Sequence, residues 1–146
     1  MSFSNATDTA LLQLLFNNTA FANVCYASGL QPSSTAGSFY VRLHTADPGE
    51  SGTGSTNEAT YTGYAPVAVP RSSSGWTVSG ATVSNTATVQ FGECTAGANT
   101  ITHATICLGS GAGAQVLVRA ALAASRAVSA GITPLFNPGE ISGTLD

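Results

Sequence analysis

The sequence predicts an all-β protein: an antiparallel β-sandwich, jelly-roll-like, with one N-terminal α-helix. Three observations carry this. From Phe39 onward, short runs with period-two alternation recur at close intervals, divided by Gly, Pro, Asn, Asp and Ser. Only residues 5–16 repeat apolar side chains at helical spacing. Strands do not alternate with helices, which argues against a parallel α/β sheet.

The helix comes first. Asn5 or Thr7 is placed to cap it, and Asp8 sits in the first turn, where the helix dipole favours a carboxylate. Ala10, Leu11, Leu14 and Leu15 form the apolar stripe, and Asn17-Asn18 ends it. Phe21, Val24, Cys25 and Tyr26 are placed to continue as a second helix. Gly29 to Gly37 then reads as a loop containing Pro32. Residues 1–38 are thus expected to be a helix and contact arm, and residues 39–146 the β-sandwich, within one compact domain.

The central stretch runs from Phe39 to Ala65. Phe39, Val41 and Leu43 alternate with Tyr40, Arg42 and His44, the period of a half-buried strand. Asp47-Pro48-Gly49 stops it: Asp bonds its own downstream backbone, Pro presets φ, and Gly permits φ > 0. A Ser/Thr/Gly loop carrying Glu50 leads to Asn57. Tyr64 to Val69 is the next strand, ended by Pro70. Trp76 to Ser79 follows, with Trp76 and Val78 on one face. Val83 to Phe91 returns, with Ala87, Val89 and Phe91 alternating. Thr100 to Leu108 is rich in β-branched residues, and Gly109 to Gly113 is a hairpin connection. Gln115 to Ala124 is ambiguous: AALAA favours helix, while Val116, Val118, Ala120 and Leu122 alternate. Ile132 to Phe136 and Ile141 to Leu145 close the chain around an Asn137-Pro138-Gly139 turn. The total is about eight or nine strands, the number a jelly roll needs.

Composition bounds the function. The chain has 146 residues, a single-domain length. Charged residues are 8%, against roughly 25% in an average soluble protein. There is no lysine; the cations are Arg42, Arg71, Arg119 and Arg126. A net charge of −3 offers no basic footprint for nucleic acid or anionic membrane, and neither is expected as a partner. A surface of Ser, Thr, Asn and Gly costs little to desolvate, and interface cores are depleted in Lys, Glu and Asp. Such a skin suits a subunit covered by its neighbours. Cys25, Cys94 and Cys107 make no disulfide framework and no CxxC metal pattern. They are expected to be buried free thiols, although one pair could bridge. No apolar run is long enough to span a membrane, and the N-terminus lacks the marks of a signal peptide.

Candidate chemistry is sparse. His44 and His103, with Asp47, Glu58 and Cys107, contain no pair at a known metal-ligand spacing. The expectation is that His44 bonds Asp47 or Glu58 and pins the loop. No GxSxG elbow appears. GSGAG precedes neither a helix nor a Lys, so it is no phosphate loop, and Glu93 and Glu140 do not pair for acid/base work. Tyr61, Tyr64 and Trp76, close to Gly at turn-to-strand junctions, are expected to pack internally rather than to stack on sugars. No catalytic residue, cofactor or metal is expected.

Four segments carry a resemblance: LHTADPGESG, NEATYTGYA, GWTVSG and TITHATI. Together they resemble a family of small tailed-phage virion proteins. Its members are tail-fibre-like or minor structural proteins, some of them capsid cement (decoration) proteins. The resemblance runs from about Phe39 to the C-terminus. It implies that Gln115–Ala124 is a strand and that the protein is structural, made in the host cytoplasm and placed in the virion. The leading expectation is capsid cement on the shell surface, binding the major capsid protein and itself, first as a dimer. The alternative is a tail-fibre or tail-tip component that binds a host receptor. Leu11, Leu14, Leu15, Pro32 and Leu145 are the candidate subunit contacts. His44, Asp47, Pro48, Gly49, Glu58 and Tyr64 are the candidate loop-pinning residues.

Overall fold

The computed structural model describes residues 3–24 and 29–145. One helix, α1 (Asn5–Phe16), precedes strands β1 (Ser38–His44), β2 (Val67–Pro70), β3 (Trp76–Ser79), β4 (Thr82–Asn85), β5 (Val89–Gln90), β6 (Ala98–Cys107), β7 (Val116–Ser129), β8 (Leu135–Phe136) and β9 (Ser142–Thr144). Four strands form a sheet in the order β2-β1-β6-β7, three form β3-β4-β9, and β5 pairs with β8. The sheets are open and mostly antiparallel (β1–β6, β6–β7, β3–β4 and β4–β9), the class of a β-sandwich with an N-terminal helix that the sequence predicts. The chain forms two compact units: Met1–Gly37, Pro70–Thr88 and Phe136–Asp146 in the first, Ser38–Val69 and Val89–Leu135 in the second.

In the first unit, Ser4 rather than Asn5 or Thr7 caps α1. Its backbone is still extended (φ −79°, ψ 152°), and its hydroxyl accepts a bond from the Thr7 N–H. Asn5 is already helical. The helix buries Asp8, Leu12 and Phe16 and packs on β3 and β4. The expected stripe of Ala10, Leu11, Leu14 and Leu15 is only half-buried. The reason is local: LLQLLF is apolar almost all round, so spacing alone selects no single face. What selects it is the ring of Phe16, which meets Trp76 edge-on with centroids 5.0 Å apart.

Residues 17–24 do not form the second helix that Phe21 and Val24 could have continued, so one helix stands, as the fold class has it. Asn18 and Asn23 take left-handed backbone angles (φ 53° and 61°), which Asn tolerates better than most residues. The chain folds back instead, and Phe21 and Leu30 exchange two backbone hydrogen bonds. Cys25 and Tyr26, assigned to that helix, lie outside the described residues. Arg71 ties this return to the helix: Nε donates to Leu15 O at 2.7 Å, Nη2 to Leu14 O at 3.0 Å and Nη1 to Ala36 O at 3.1 Å. A cation is thereby held on the helix's C-terminal carbonyls, where the dipole favours it.

The expected Val83–Phe91 strand is two elements. Asn85 breaks it: its side-chain amide donates to Ala87 O and Asn137 O and accepts from the Ile141 N–H, all at 2.8–2.9 Å. Ala87 is left exposed. One face of β3-β4-β9 buries Trp76, Val83 and Asn85. The other carries Thr77, Ser79, Thr82, Ser84, Ser142 and Thr144.

In the second unit, β1 lies between β2 and β6, with Arg42 opposite Thr105 and His44 opposite His103. It is not half-buried. Phe39, Val41 and Leu43 are buried on one face and Arg42 and His44 on the other. β2 starts later than expected, at Val67, because the chain still turns at Gly63 (φ 102°) and the Tyr64 N–H bonds Tyr61 O. The ambiguous Gln115–Ala124 segment is strand, within β7.

Arg71→Ala removes three charge-assisted bonds to backbone carbonyls. It should lower the stability of the first unit by roughly 2–4 kcal/mol, read in urea by the fluorescence of Trp76, the single tryptophan of the chain.

Candidate functional site

The second unit is centred on a buried cation. Arg42 is 1% exposed. Its Nη1 donates to Glu58 Oε1 at 2.8 Å, and its Nη2 donates to the carbonyls of Gly111 (2.8 Å) and Gly109 (3.2 Å). The same Glu58 oxygen accepts from the Tyr64 hydroxyl at 2.9 Å, and that hydroxyl accepts from the Leu43 N–H at 3.0 Å. Gly54 closes over the guanidinium; a Cβ there would lie 2.8 Å from Arg42 Nε. Glycine is required by this close approach. The Gly54 N–H bonds Ala114 O and the Ser55 N–H bonds Ala112 O. One side chain thus gathers the 46–60 loop and the 109–115 connection.

His44 stands beside it, fully buried. Nδ1 lies 2.8 Å from Thr56 O, and Nε2 lies 2.9 Å from Thr105 Oγ1. A carbonyl can only accept, so Nδ1 carries the proton and Nε2 accepts from the Thr105 hydroxyl. The ring bonds neither Asp47 nor Glu58, the partners the sequence suggests; it holds the loop by the carbonyl of Thr56. Burial pushes its pKa below the ordinary 6.5. Burial likewise pushes the Cys107 thiol and the Tyr64 phenol up.

At the rim, Asp47 Oδ1 accepts from the Gly49 N–H at 2.9 Å, and Asp47 Oδ2 accepts from Arg119 Nη1 at 2.7 Å. The Gly49 N–H, with Arg119 adding to it, holds the Asp47 carboxyl below the usual range. Glu50 lies 3.6 Å from Arg119 and is 92% exposed. Pro48 is buried, and Gly49 takes φ 73°, as the turn requires.

His44, Glu58 and Tyr64 therefore share one network, and Asp47, Pro48 and Gly49 form the turn beside it. Leu11, Leu14, Leu15, Pro32 and Leu145 belong to the first unit and are half-buried. Tyr61 and Trp76 are buried, and Tyr64 is half-buried with its ring 6.0 Å from that of Phe91. None of the three presents a free face for a sugar. Arg42, Thr105 and Gly54 are the network residues that sequence reasoning missed. The available signal was scarcity: a chain with four cations does not place one on a core strand without a partner. Cys94 and Cys107 are buried free thiols; Cys25 is outside the described residues. Among the described residues, no group of three His, Cys, Asp or Glu side chains could hold a metal ion. No helix among them is long and apolar enough to cross a membrane.

The sequence matches the model of a family described as "Podophage GP4 fiber I protein gp80" over residues 2–144. No curated protein matches it.

Glu58→Ala leaves the Arg42 charge buried without its counterion and should cost about 3–5 kcal/mol, measured by urea denaturation. A pH effect follows from His44. Its folded pKa lies below its unfolded one, so the unfolded state takes up the proton first as pH falls. The His44 contribution should be fully present above pH 6.5 and decline as pH drops from 6.5 through the folded pKa. In His44→Gln that part of the slope should vanish.

Proposed function

The chain belongs to the podophage GP4 fiber I protein gp80 family, and from this premise we propose that it is a non-enzymatic component of a tail fibre. It is a phage virion structural protein; the finer assignment, fibre rather than shell, is the proposal. The single observation that carries it is the family match, which spans residues 2–144. The family is described by a fibre, which supports the tail-fibre alternative better than the capsid-cement expectation.

The site supports the reading chemically. The polar groups best suited to acid–base or nucleophilic work, His44, Glu58, Thr105 and Cys107, bond one another, backbone carbonyls or buried Arg42. They brace a loop, and a braced loop loses little entropy when a neighbour docks on it. We take the partners to be further copies of the chain and other tail proteins, with host-surface recognition as the task of the finished fibre.

Immunogold labelling of purified virions with antibody against this chain tests the assignment, with copy number from a quantitative gel. The expected result is label on the tail and a low copy number. Label spread over the head, with copies in the hundreds, would reinstate the cement reading. Absence from mature particles would overturn both.

A further inference from the structure

The longest strand, β7, leaves one edge unpaired. It is the outer strand of its sheet, and no strand of the described residues pairs with its free edge. Between Val116 and Ala127 no side chain is buried on either face, and Val118 is 43% exposed. Its middle, Ala120 to Ala124, is four alanines and one leucine; alanine is depleted in strands, and none of the five is buried. An exposed, apolar edge presents ready-made donors and acceptors to another strand.

We infer that β7 is the seam along which two copies of this chain associate, edge to edge and antiparallel, about a two-fold axis between Leu122 and Ala123. This deepens the fibre reading, in which copies associate, and rests on it for biological purpose only. Antiparallel pairing of a strand with itself is the isologous contact that a two-fold dimer uses.

Charge and register fix the arrangement. Asp47 and Glu50 flank Arg119, two carboxylates to one guanidinium, and leave a net negative charge beside β7. Arg126 is exposed and has no ion-pair partner among the described residues. In this register, Arg126 of one copy lies opposite Arg119 of the other and supplies the missing positive charge, twice per dimer.

Directly opposed residues must project from the same face of a sheet. In a regular strand Arg119 and Arg126, an odd number of residues apart, would project from opposite faces. Here they do not. β6 takes two steps from His103 to Ile101 while β7 takes five from Ala121 to Arg126. The extra residues put Arg126, paired with Ile101, on the face of Arg119, paired with Thr105.

Sedimentation equilibrium of the purified chain tests this, up to about 100 µM so that a micromolar Kd would register. A dimer is expected. Arg126→Glu and Glu50→Arg should each weaken it about tenfold, and the double variant should restore it. Both substituted side chains, Glu50 and Arg126, are exposed, and far-ultraviolet circular dichroism checks that each variant keeps its strands. A monomer at every concentration would overturn the seam, as would a dimer indifferent to both substitutions, or one the double variant does not restore. Either result leaves the tail assignment standing, because that rests on position in the particle.

Discussion

The constraint on which the second unit depends is the burial of one guanidinium. A charge removed from water is tolerated only with a counterion and acceptors for its remaining donors. Arg42 obtains a carboxylate from Glu58 and two carbonyls from Gly109 and Gly111. Those partners come from segments far apart in sequence, so satisfying the charge decides where both segments lie. The rest of the network is conditional on this. Glu58 can accept from the Tyr64 hydroxyl because Arg42 has already brought it inside, and Gly54 has no side chain because the guanidinium occupies the space.

The first unit uses the same logic with weaker charges. Asn85 has no charge to neutralise, yet three backbone groups on its side-chain amide fix where β4 ends and how the C-terminal segment returns. Arg71 keeps its charge half in solvent and spends its donors on helix-end carbonyls. In a chain with 8% charged residues, ionic side chains are too few to cover the surface. Arg42, Arg71 and Arg119 each act instead as a joint between segments. The solvent-facing role falls to hydroxyls, as on the outer face of β3-β4-β9.

A network of this kind keeps loops in one shape before a neighbour arrives, which lowers the entropy lost on docking. That is what the proposed fibre assembly would draw on. It also separates two kinds of surface. The 46–60 loop has its polar groups tied to the sheet and the 109–115 connection, whereas the free edge of β7 has no strand beside it among the described residues.

Much was legible in the sequence. Helix 5–16 and strand Trp76–Ser79 stand where periodicity put them, because each is set by local spacing and flanking turn residues. Asp47-Pro48-Gly49 is a turn because Asp, Pro and Gly make one almost anywhere. The open antiparallel class followed from short alternating runs. Tertiary contact alone decided which face of an all-round apolar helix turns inward and where Asn85 interrupts a run that alternates through Phe91. It also decided the site. His44 and Glu58 attract notice as residue types, but their partners are a carbonyl at Thr56 and a guanidinium on the polar side of β1. Alternation reports which side chains share a face; it carries no information about what will later be laid over that face. Whether Arg42 points to water or to a carboxylate depends on a loop that closes only once the sheet exists.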